Sequence, residues 1–319
     1  MMANQIMRPT FDEHTPVLLQ EAVDYLVGSP DGVYVDATFG RGSHTREILQ
    51  RLSSQGRLIA FDKDLDAVTY ARNNIQDARF SIFHCSFASM QLVLTELHLA
   101  QKIHGILFDL GVSSPQLSEG ARGFSFVREG KLDMRMDQSQ GVTAATFLAT
   151  IAEDELASIL WQYGEEKKSR RIAKAIVAAR ELAPIETTTA LADIIEKVCP
   201  RSRVNYHKHP ATRSFQAIRI AINRELVELE EGLLTALLVL MRHGRLVAIS
   251  FHSLEDRIVK QFIRQHEKGV ALPRGLPIKG EPFQGRMKTV TGHIKPSLDE
   301  MHANPRARSA ILRVSEKLS

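Results

Sequence analysis

The sequence predicts an α/β fold in which a parallel sheet is covered by helices on both faces. Five apolar runs have the length of buried strands, and helical patterns separate the first four of them. These runs occupy residues 33–37, 58–61, 80–83, 103–108 and 246–251. Between residues 110 and 213 the strand pattern stops and only helical patterns continue. Because strands that alternate with helices form parallel sheets, we expect a sheet domain that carries an inserted helical region.

Length and composition fit this architecture. The chain has 319 residues, of which 44% are hydrophobic and 24% charged, as is typical of a globular protein with a full core. We expect the sheet domain at residues 1–117 and 208–319 and the helical domain at 118–207. The two cysteines, Cys85 and Cys199, need no disulfide framework, and no apolar stretch is long enough to span a bilayer. The sequence therefore favours a cytoplasmic protein that is neither secreted nor membrane-spanning.

The first strand leads into a glycine turn. Residues 33–44 read VYVDATFGRGSH, so an apolar run reaches Gly40 and Gly42 and a helix begins directly afterwards. Glycines let the backbone turn tightly against a ligand, and the free N–H groups of the helix then face that ligand. The second strand closes on Asp62, 20 positions after Gly42, which is the spacing of a carboxylate that accepts hydrogen bonds from ribose hydroxyls. This pattern predicts a nucleoside-binding half-site; a strand-to-helix turn with a capping acid and no ligand is the alternative.

The residues of this turn indicate which nucleoside-containing cofactor is expected. Thr45 stands where a dinucleotide fingerprint has its third glycine, and a Walker phosphate loop is absent. Asp36 precedes the glycines, where a carboxylate would repel phosphates and attract a cation. S-adenosylmethionine carries a sulfonium, an ammonium and a ribose, so it is the cofactor that fits best.

The strand runs all end in residues that can do chemistry. They are Asp36, Asp62, Ser86 with Phe87, Asp109, and residues 250–252. Ligands of open parallel sheets bind outside the carboxyl ends of the strands, so we expect these residues to converge there. Phe87 can lie against adenine. Asp109 can hold the hydrogens of a weakly nucleophilic amine and assist its attack on a sulfonium, or it can simply cap the strand end.

Helices are predicted in the inserted region over residues 152–163, 169–182 and 187–198. Trp161 and Tyr163 are in phase with the apolar stripe of the first of these helices, so we expect both in its core. Several cations surround the start of the second helix. They could extend an RNA-binding surface formed by the basic run at residues 197–224, but because Glu165 and Glu166 lie beside them, a solvated face is the favoured interpretation.

An acid-free basic run follows the inserted helices. Residues 197–224 contain no Asp or Glu but seven Lys and Arg residues, with aromatic residues among them. Cations and aromatics in this arrangement suit single-stranded or irregular RNA. We expect RNA contacts from Arg203, Lys208, His209 and Arg213. A zinc site at Cys199 and the nearby histidines is disfavoured because no second ligand pair has a usable spacing, so no metal is predicted.

A helix is predicted directly after the last strand run. Ser253 and Asp256 have the spacing of a capping box, and this structural role accounts for both residues. His252 is not explained by the box. It follows a buried strand on the ligand side of the sheet, so we expect it to face the target base or an adjacent phosphate.

Several longer strings are highly specific. They are HTPVLL at 14–19, LGVSSPQLS at 110–118, RGFSF at 122–126, KLDMRMD at 131–137, HPATRSFQA at 209–217, SFHSLEDR at 250–257 and NPRARS at 304–309. With them the chain closely resembles the bacterial family of small-subunit ribosomal RNA cytosine-N4 methyltransferases, the RsmH (formerly MraW) family. The resemblance implies a class I methyltransferase, Rossmann-like sheet with an inserted helical substrate-recognition domain. It also implies methyl transfer from S-adenosylmethionine to N4 of a cytidine in the decoding centre of 16S ribosomal RNA, within a small ribosomal subunit.

By the same resemblance, the cofactor contacts fall on matching motif positions. They are Gly42, Ser43, His44, Asp62, Phe87, Asp109 and Gln116, beside Gly40 of the glycine turn. Ser43 departs from the second glycine that many relatives have, which puts in doubt a requirement for positive φ there. Amino methyltransferases often carry an Asp/Asn-Pro-Pro-aromatic tetrad where this chain has Asp109 followed by Leu-Gly-Val, so the proton acceptor stays open.

Two functions follow as hypotheses. The first is an S-adenosylmethionine-dependent RNA cytosine-N4 methyltransferase in which Asp109 is the candidate catalytic residue. The second is an RNA-binding ribosome assembly factor that uses the cofactor pocket as a sensor. A strand-end group such as Asp109, aimed past the cofactor, favours the enzyme.

Overall fold

The computed structural model describes residues 16–200, 209–268 and 285–319. Within these ranges, seven strands form a single sheet in the order β3-β2-β1-β4-β5-β7-β6. The strands are β1 (Val33–Asp36), β2 (Arg57–Asp62), β3 (Phe80–His84), β4 (Ile103–Asp109), β5 (Leu240–Ser250), β6 (Met287–Thr289) and β7 (Ile311–Lys317). The five apolar runs are thus confirmed as strands, whereas β6 and β7 were not predicted.

The first five strands are parallel, as predicted, and β7 pairs antiparallel with both β5 and β6. The strand order reverses between β1 and β4. From β1 the chain adds β2 and then β3 towards one edge of the sheet, and it then returns to place β4 on the other side of β1. Ala37 donates from its backbone N–H to the carbonyl of Leu107, so the two strand ends stay in register at this point. In open sheets such a reversal opens a crevice at the carboxyl ends of the strands.

Helices cover both faces of the sheet and form a separate cluster between β4 and β5. In chain order they are α1 (Leu19–Leu26), α2 (Ser43–Arg51), α3 (Leu65–Asn74), α4 (Met90–Glu96), α5 (Ser114–Ser118), α6 (Ala144–Thr150), α7 (Glu153–Gly164), α8 (Ser169–Leu182), α9 (Thr188–Val198), α10 (Thr212–Asn223), α11 (Glu225–Val239), α12 (Ser253–Glu267) and α13 (Leu298–Ala303).

Two apolar cores lie on opposite faces of the sheet. On one face Met90 of α4, Leu233 of α11 and Val259 of α12 pack against the strands. On the other face Leu26 of α1 and Ile48 of α2 do the same. Because both faces are covered, the strands can be apolar throughout, which is why they appear in the sequence as continuous runs.

The inserted helices have a core of their own. The helices predicted at 152–163, 169–182 and 187–198 correspond to α7, α8 and α9. The same core includes Phe215 and Ile218 of α10, so it continues past residue 207. The division of the chain at residues 118 and 207 stays a prediction.

Trp161 is a correction to the sequence analysis, because its side chain is 59% exposed and lies outside the core of the helices. The buried stripe of α7 runs through Leu156 and Leu160, and a residue one position further along a helix points about 100° away from such a stripe. Tyr163, in contrast, packs against that core as predicted.

Two predicted RNA contacts, Arg203 and Lys208, and the first two residues of the string at 14–19 lie outside the described residues. Across 16–200, 209–268 and 285–319, none of the helices combines the length and the apolar character that a membrane span requires.

Candidate active site

A cavity of about 1080 Å³ opens at the carboxyl ends of the parallel strands and extends to the helical cluster. Most of the predicted site residues line it: Gly40, Ser43, His44, Asp62, Phe87, Asp109, Gln116, His209, Arg213 and His252. Gly42 is not among the lining residues; it is the residue that precedes α2. The sheet thus brings together side chains that are up to about 210 positions apart in the chain.

The glycine turn depends on positive φ at its two glycines. Gly40 has φ 56° and Gly42 has φ 74°, a region that favours glycine. A Cβ at Gly42 would also meet the Phe39 ring at 2.6 Å. Ser43 is already the first residue of α2, so this chain needs no positive φ at that position.

Asp36 holds the turn from beneath. Its carboxylate accepts hydrogen bonds from the Thr45 hydroxyl at 2.6 Å and from the Thr38 N–H at 3.2 Å. The side chain is 1% exposed, and burial raises its pKa to about 6 against these two hydrogen bonds, which lower it. The acid predicted to attract a cation is therefore buried and does not line the cavity, and its effect on a ligand stays a prediction.

Asp62 joins the glycine turn to the loop after β2. One carboxylate oxygen accepts from the Gly40 N–H at 2.8 Å and the other from the Asp64 N–H at 2.8 Å. Burial raises the pKa of Asp62 to about 6, although both backbone hydrogen bonds lower it. A carboxylate oxygen can accept more than one hydrogen bond, so both keep capacity for hydroxyl donors in the cavity.

The loop after β2 is tied to the inserted region by a buried arginine that the sequence analysis did not single out. Arg122 is 4% exposed and donates to Asp64 at 2.8 Å, to Asp66 at 3.1 Å and to the carbonyl of Met136 at 3.0 Å. Gln116 donates to the same Asp64 oxygen at 2.7 Å. The string containing Arg122 was recognised, but nothing in its local sequence indicates a partner 58 residues away.

Asp109 ends β4 at the point where the strand order reverses. Its backbone N–H donates to the Thr38 hydroxyl at 2.7 Å, and one carboxylate oxygen lies 3.4 Å from Nδ1 of His44. The other oxygen, Oδ1, is buried without a hydrogen-bond partner among the described residues. Burial raises the pKa of Asp109 well above its ordinary value, and the charges of Asp36 and Glu255 raise it further. A cation or an amine hydrogen in the cavity would complete this carboxyl group.

Phe87 is fixed by packing on the cavity side of the sheet. Its ring meets Phe108 edge to face with centroids 5.3 Å apart, and α11 approaches so closely that a Cβ at Gly232 would lie 2.6 Å from the ring. The preceding Ser86 donates to Glu228 of α11 at 2.8 Å. The ring therefore presents a rigid apolar surface to the cavity.

The helix after β5 begins differently from the prediction, because His252 and not Ser253 is the capping residue. Nδ1 of His252 accepts from the Glu255 N–H at 3.4 Å, and Glu255 accepts from the Phe251 N–H at 2.8 Å. Asp256 instead pairs with Arg313 at 2.6 Å. The predicted box at Ser253 and Asp256 is wrong, since a histidine nitrogen replaces the hydroxyl that such boxes usually use.

His252 lines the cavity, but both of its ring nitrogens face Glu255. Nε2 lies 3.1 Å from the Glu255 carboxylate. Burial would raise the pKa of Glu255, but the hydrogen bond and charge of His252 and the charge of Arg219 outweigh it, so that pKa is lowered. A contact of His252 with RNA stays a prediction.

Glu225, His252 and Glu255 present ligand atoms that all lie within 4.8 Å of one another, a spacing that could hold a metal ion. Arg219 already donates to both oxygens of Glu225 at 2.8 Å. Glu225 therefore already has a cationic partner, and Glu255 lies against His252.

The acid-free run has mixed roles in the structure. Arg219 is paired with Glu225, and Arg224 lies 3.9 Å from Glu231, so these two cations of the run are not unpaired. His209 stacks near Phe126 with ring centroids 4.5 Å apart, and Arg213 donates to the carbonyl of Glu165 at 3.2 Å. His209 and Arg213 remain at the cavity wall, where RNA contact is still a prediction.

Comparison with known proteins gives a consistent result. The model of a family described as the MraW methylase family matches residues 12–318. The ribosomal RNA small subunit methyltransferase H of Pseudoalteromonas atlantica is 55% identical over 97% of this chain and 99% of that protein. The proteins with the same name from Idiomarina loihiensis and Shewanella frigidimarina are 49% and 51% identical, covering 98% and 96% of this chain and 99% and 97% of theirs.

Proposed function

The chain belongs to the MraW methylase family, and from this premise we propose that it transfers a methyl group from S-adenosylmethionine to the N4 amine of a cytidine in 16S ribosomal RNA. The fold is the class I methyltransferase sheet with an inserted helical region that the sequence predicts. The observation that carries the proposal is Asp109, which lines the cavity at the end of β4 and whose buried Oδ1 has no hydrogen-bond partner among the described residues.

The residues of the cavity fit the cofactor. Gly40, Ser43 and His44 form the turn against which a nucleoside-linked amino acid can lie, and Asp62 can accept hydrogen bonds from two ribose hydroxyls. Phe87 offers its fixed ring to adenine. Gln116 donates to Asp64 and accepts from the Ser113 N–H, which fixes its amide in the cavity wall, and its contact with the cofactor stays a prediction.

When bound, the cofactor supplies an activated methyl group on a sulfonium. The N4 lone pair of cytosine is delocalised into the ring, so the protein's task is to hold the amine in line and to accept its hydrogen. Asp109 is the acceptor we propose. Its pKa lies well above the ordinary value, which brings its basicity closer to that needed for proton transfer near neutral pH. Most of the acceleration then comes from positioning.

We place the substrate in the decoding centre of an assembled small ribosomal subunit and the reaction in the cytoplasm. The family membership supports these assignments, whereas the cavity supports only a nucleotide-sized substrate. The cavity continues from Asp109 past His209, Arg213 and His252 to the helical cluster, which suits a flipped-out nucleotide and its neighbours.

Single-turnover transfer of labelled methyl to unmodified small subunits tests the function. We expect transfer by the parent, and loss of transfer with preserved binding of the demethylated cofactor for Asp109→Asn, which keeps the shape of the side chain. Asp193→Asn, which changes an exposed carboxylate on α9, is the matched control and should behave as the parent. If the parent binds subunits and cofactor but transfers no methyl, the assembly-factor hypothesis replaces the enzyme.

A further inference from the structure

Five cations cluster around the beginning of α8. All are exposed, and none has an ion pair or a side-chain hydrogen bond in the part of the chain that the structure describes. They are Lys167, Lys168, Arg170, Arg171 and Lys174, and we call them the α8 basic surface.

The two neighbouring acids do not balance these cations. Glu165 turns to α12, where its carboxylate lies 3.3 Å from Arg257 and 3.3 Å from the Ser253 hydroxyl. Glu166 is 9% exposed and accepts a hydrogen bond from the backbone N–H of Lys168 at 3.0 Å. The five cations therefore form an exposed face, as the sequence favours, and neither neighbouring acid pairs with their side chains.

Folding stability does not explain the α8 basic surface. The start of a helix carries partial positive charge, so acids stabilise it and cations do not, yet the first turn of α8 contains no acid. Arg170 and Lys174 are also four residues apart on the same helix, a spacing at which like charges repel. An arrangement that costs stability in the free protein points to an external polyanion.

The α8 basic surface adjoins the candidate active site. Lys168 lines the cavity, and the charges of Lys168 and Arg171 act on Cys199, which lines the same cavity. Burial is the largest influence on the Cys199 thiol and raises its pKa, and these two cations oppose that rise. From the cavity mouth the surface continues along α8 to Lys174, a rise of about 7.5 Å from Ser169, which matches about two nucleotides of a strand.

We propose that the α8 basic surface binds the phosphate backbone of the ribosomal RNA strand that leads to the target cytidine. This inference rests on the proposed function and names the surface that delivers its substrate. The contacts are to phosphates, so they fix the position of the strand and carry no sequence preference of their own.

The test compares two triple variants with the same change of charge. Lys167→Gln/Arg171→Gln/Lys174→Gln removes three cations of the surface. The control, Arg57→Gln/Lys102→Gln/Arg242→Gln, removes three exposed cations near the amino ends of β2, β4 and β5, at the opposite edge of the sheet. Binding to unmodified small subunits is measured over a range of salt concentrations, together with S-adenosylmethionine affinity and thermal unfolding.

For the surface variant we expect affinity for subunits to fall by about tenfold or more at 0.1 M salt, with the slope of log K against log salt smaller by about two to three. Cofactor affinity should stay at the parent value, and Tm should be equal or higher because helix-end repulsion is relieved. The control should keep the slope of the parent.

An unchanged slope for the surface variant, or an equal loss of slope in the control, overturns the proposal. The slope is a property of binding, so it can be read whether or not methyl is transferred. Absence of transfer by the parent refutes the proposed function instead, and the two failures are therefore distinguishable.

Discussion

Lowering the pH from 7 to 5 should weaken cofactor binding through the buried carboxyl groups of the site. Burial raises the pKa of Asp36 and of Asp62 to about 6, so each is largely ionised at neutral pH and largely protonated at pH 5. Ribose hydroxyls and a sulfonium both favour the ionised forms. For a ligand that binds only an ionised group of this pKa, affinity falls about tenfold over that range, and two such groups give an upper limit of about a hundredfold.

The same reasoning fixes the sign of two further effects. Protons leave as the cofactor binds, and at pH 6 two half-protonated carboxyl groups release about one proton in total. In the absence of ligand, the raised pKa values of Asp36 and Asp62 in the folded protein contribute to the free energy of unfolding. This contribution is fully present below the pKa of the same groups in the unfolded chain, and it is lost as the pH rises through 6. Stabilisation by cofactor should therefore grow over the same window.

Titration calorimetry at pH 6 in two buffers of different ionisation enthalpy measures the proton release directly. Asp36→Asn keeps the hydrogen-bonding shape beneath the glycine turn and should lower both the released protons and the slope of affinity against pH. Asp193→Asn, on the surface of α9, should change neither. Equal heats in the two buffers, together with an affinity that is constant from pH 5 to 7, would refute the electrostatic account of the pocket.

Three further outcomes follow from single contacts. Asp62→Ala should weaken S-adenosylmethionine binding by about 1.5 to 3 kcal/mol in calorimetry; an affinity equal to the parent's would remove Asp62 from the ribose site. Arg122→Ala leaves the buried Asp64 without its cation and should lower the free energy of unfolding by about 3 to 5 kcal/mol, as read from denaturant midpoints; an unchanged midpoint contradicts the buried pair. Gly42→Ala places a Cβ against the Phe39 ring at a residue with positive φ. It should reduce cofactor affinity by at least about tenfold, which equals about 1.4 kcal/mol. An affinity equal to the parent's would show that the turn adapts to alanine.

How much the sequence predicts depends on how local the cause is. β1 to β5 are buried on both faces, so each appears in the sequence as a continuous run of apolar residues. β6 has three residues and β7 alternates polar and apolar positions at the antiparallel side of the sheet, so neither appears as such a run. The strand-end acids were predicted for the same local reason, since each follows a recognisable run.

The missed parts of the site depend on distant partners. Arg122 matters because Asp64 and Met136 approach it from two other segments, and no spacing within its own string indicates this. The capping role of His252 was missed because Ser253 is a more usual cap, and the choice between them is made by the buried Glu255. The missing pairing at α8 has no trace in the sequence, because Glu165 and Glu166 are adjacent to the cations in the chain but bond to Arg257 and to a backbone N–H instead of to their side chains.

The pairing of β4 with β5 sets a problem of assembly order for the nascent chain. About 130 residues separate these neighbours, and bringing the ends of so long a flexible loop together costs about 1 kcal/mol more entropy than closing one of about 30 residues. Val112 and Ile222 both pack on the core of the inserted helices, so early collapse of that core would tether the two flanks and leave only α11 to span. We expect the insertion to hold β4 and β5 close together while the chain folds. Cleavage of the backbone within the insertion should therefore slow completion of the sheet more than cleavage elsewhere on the surface.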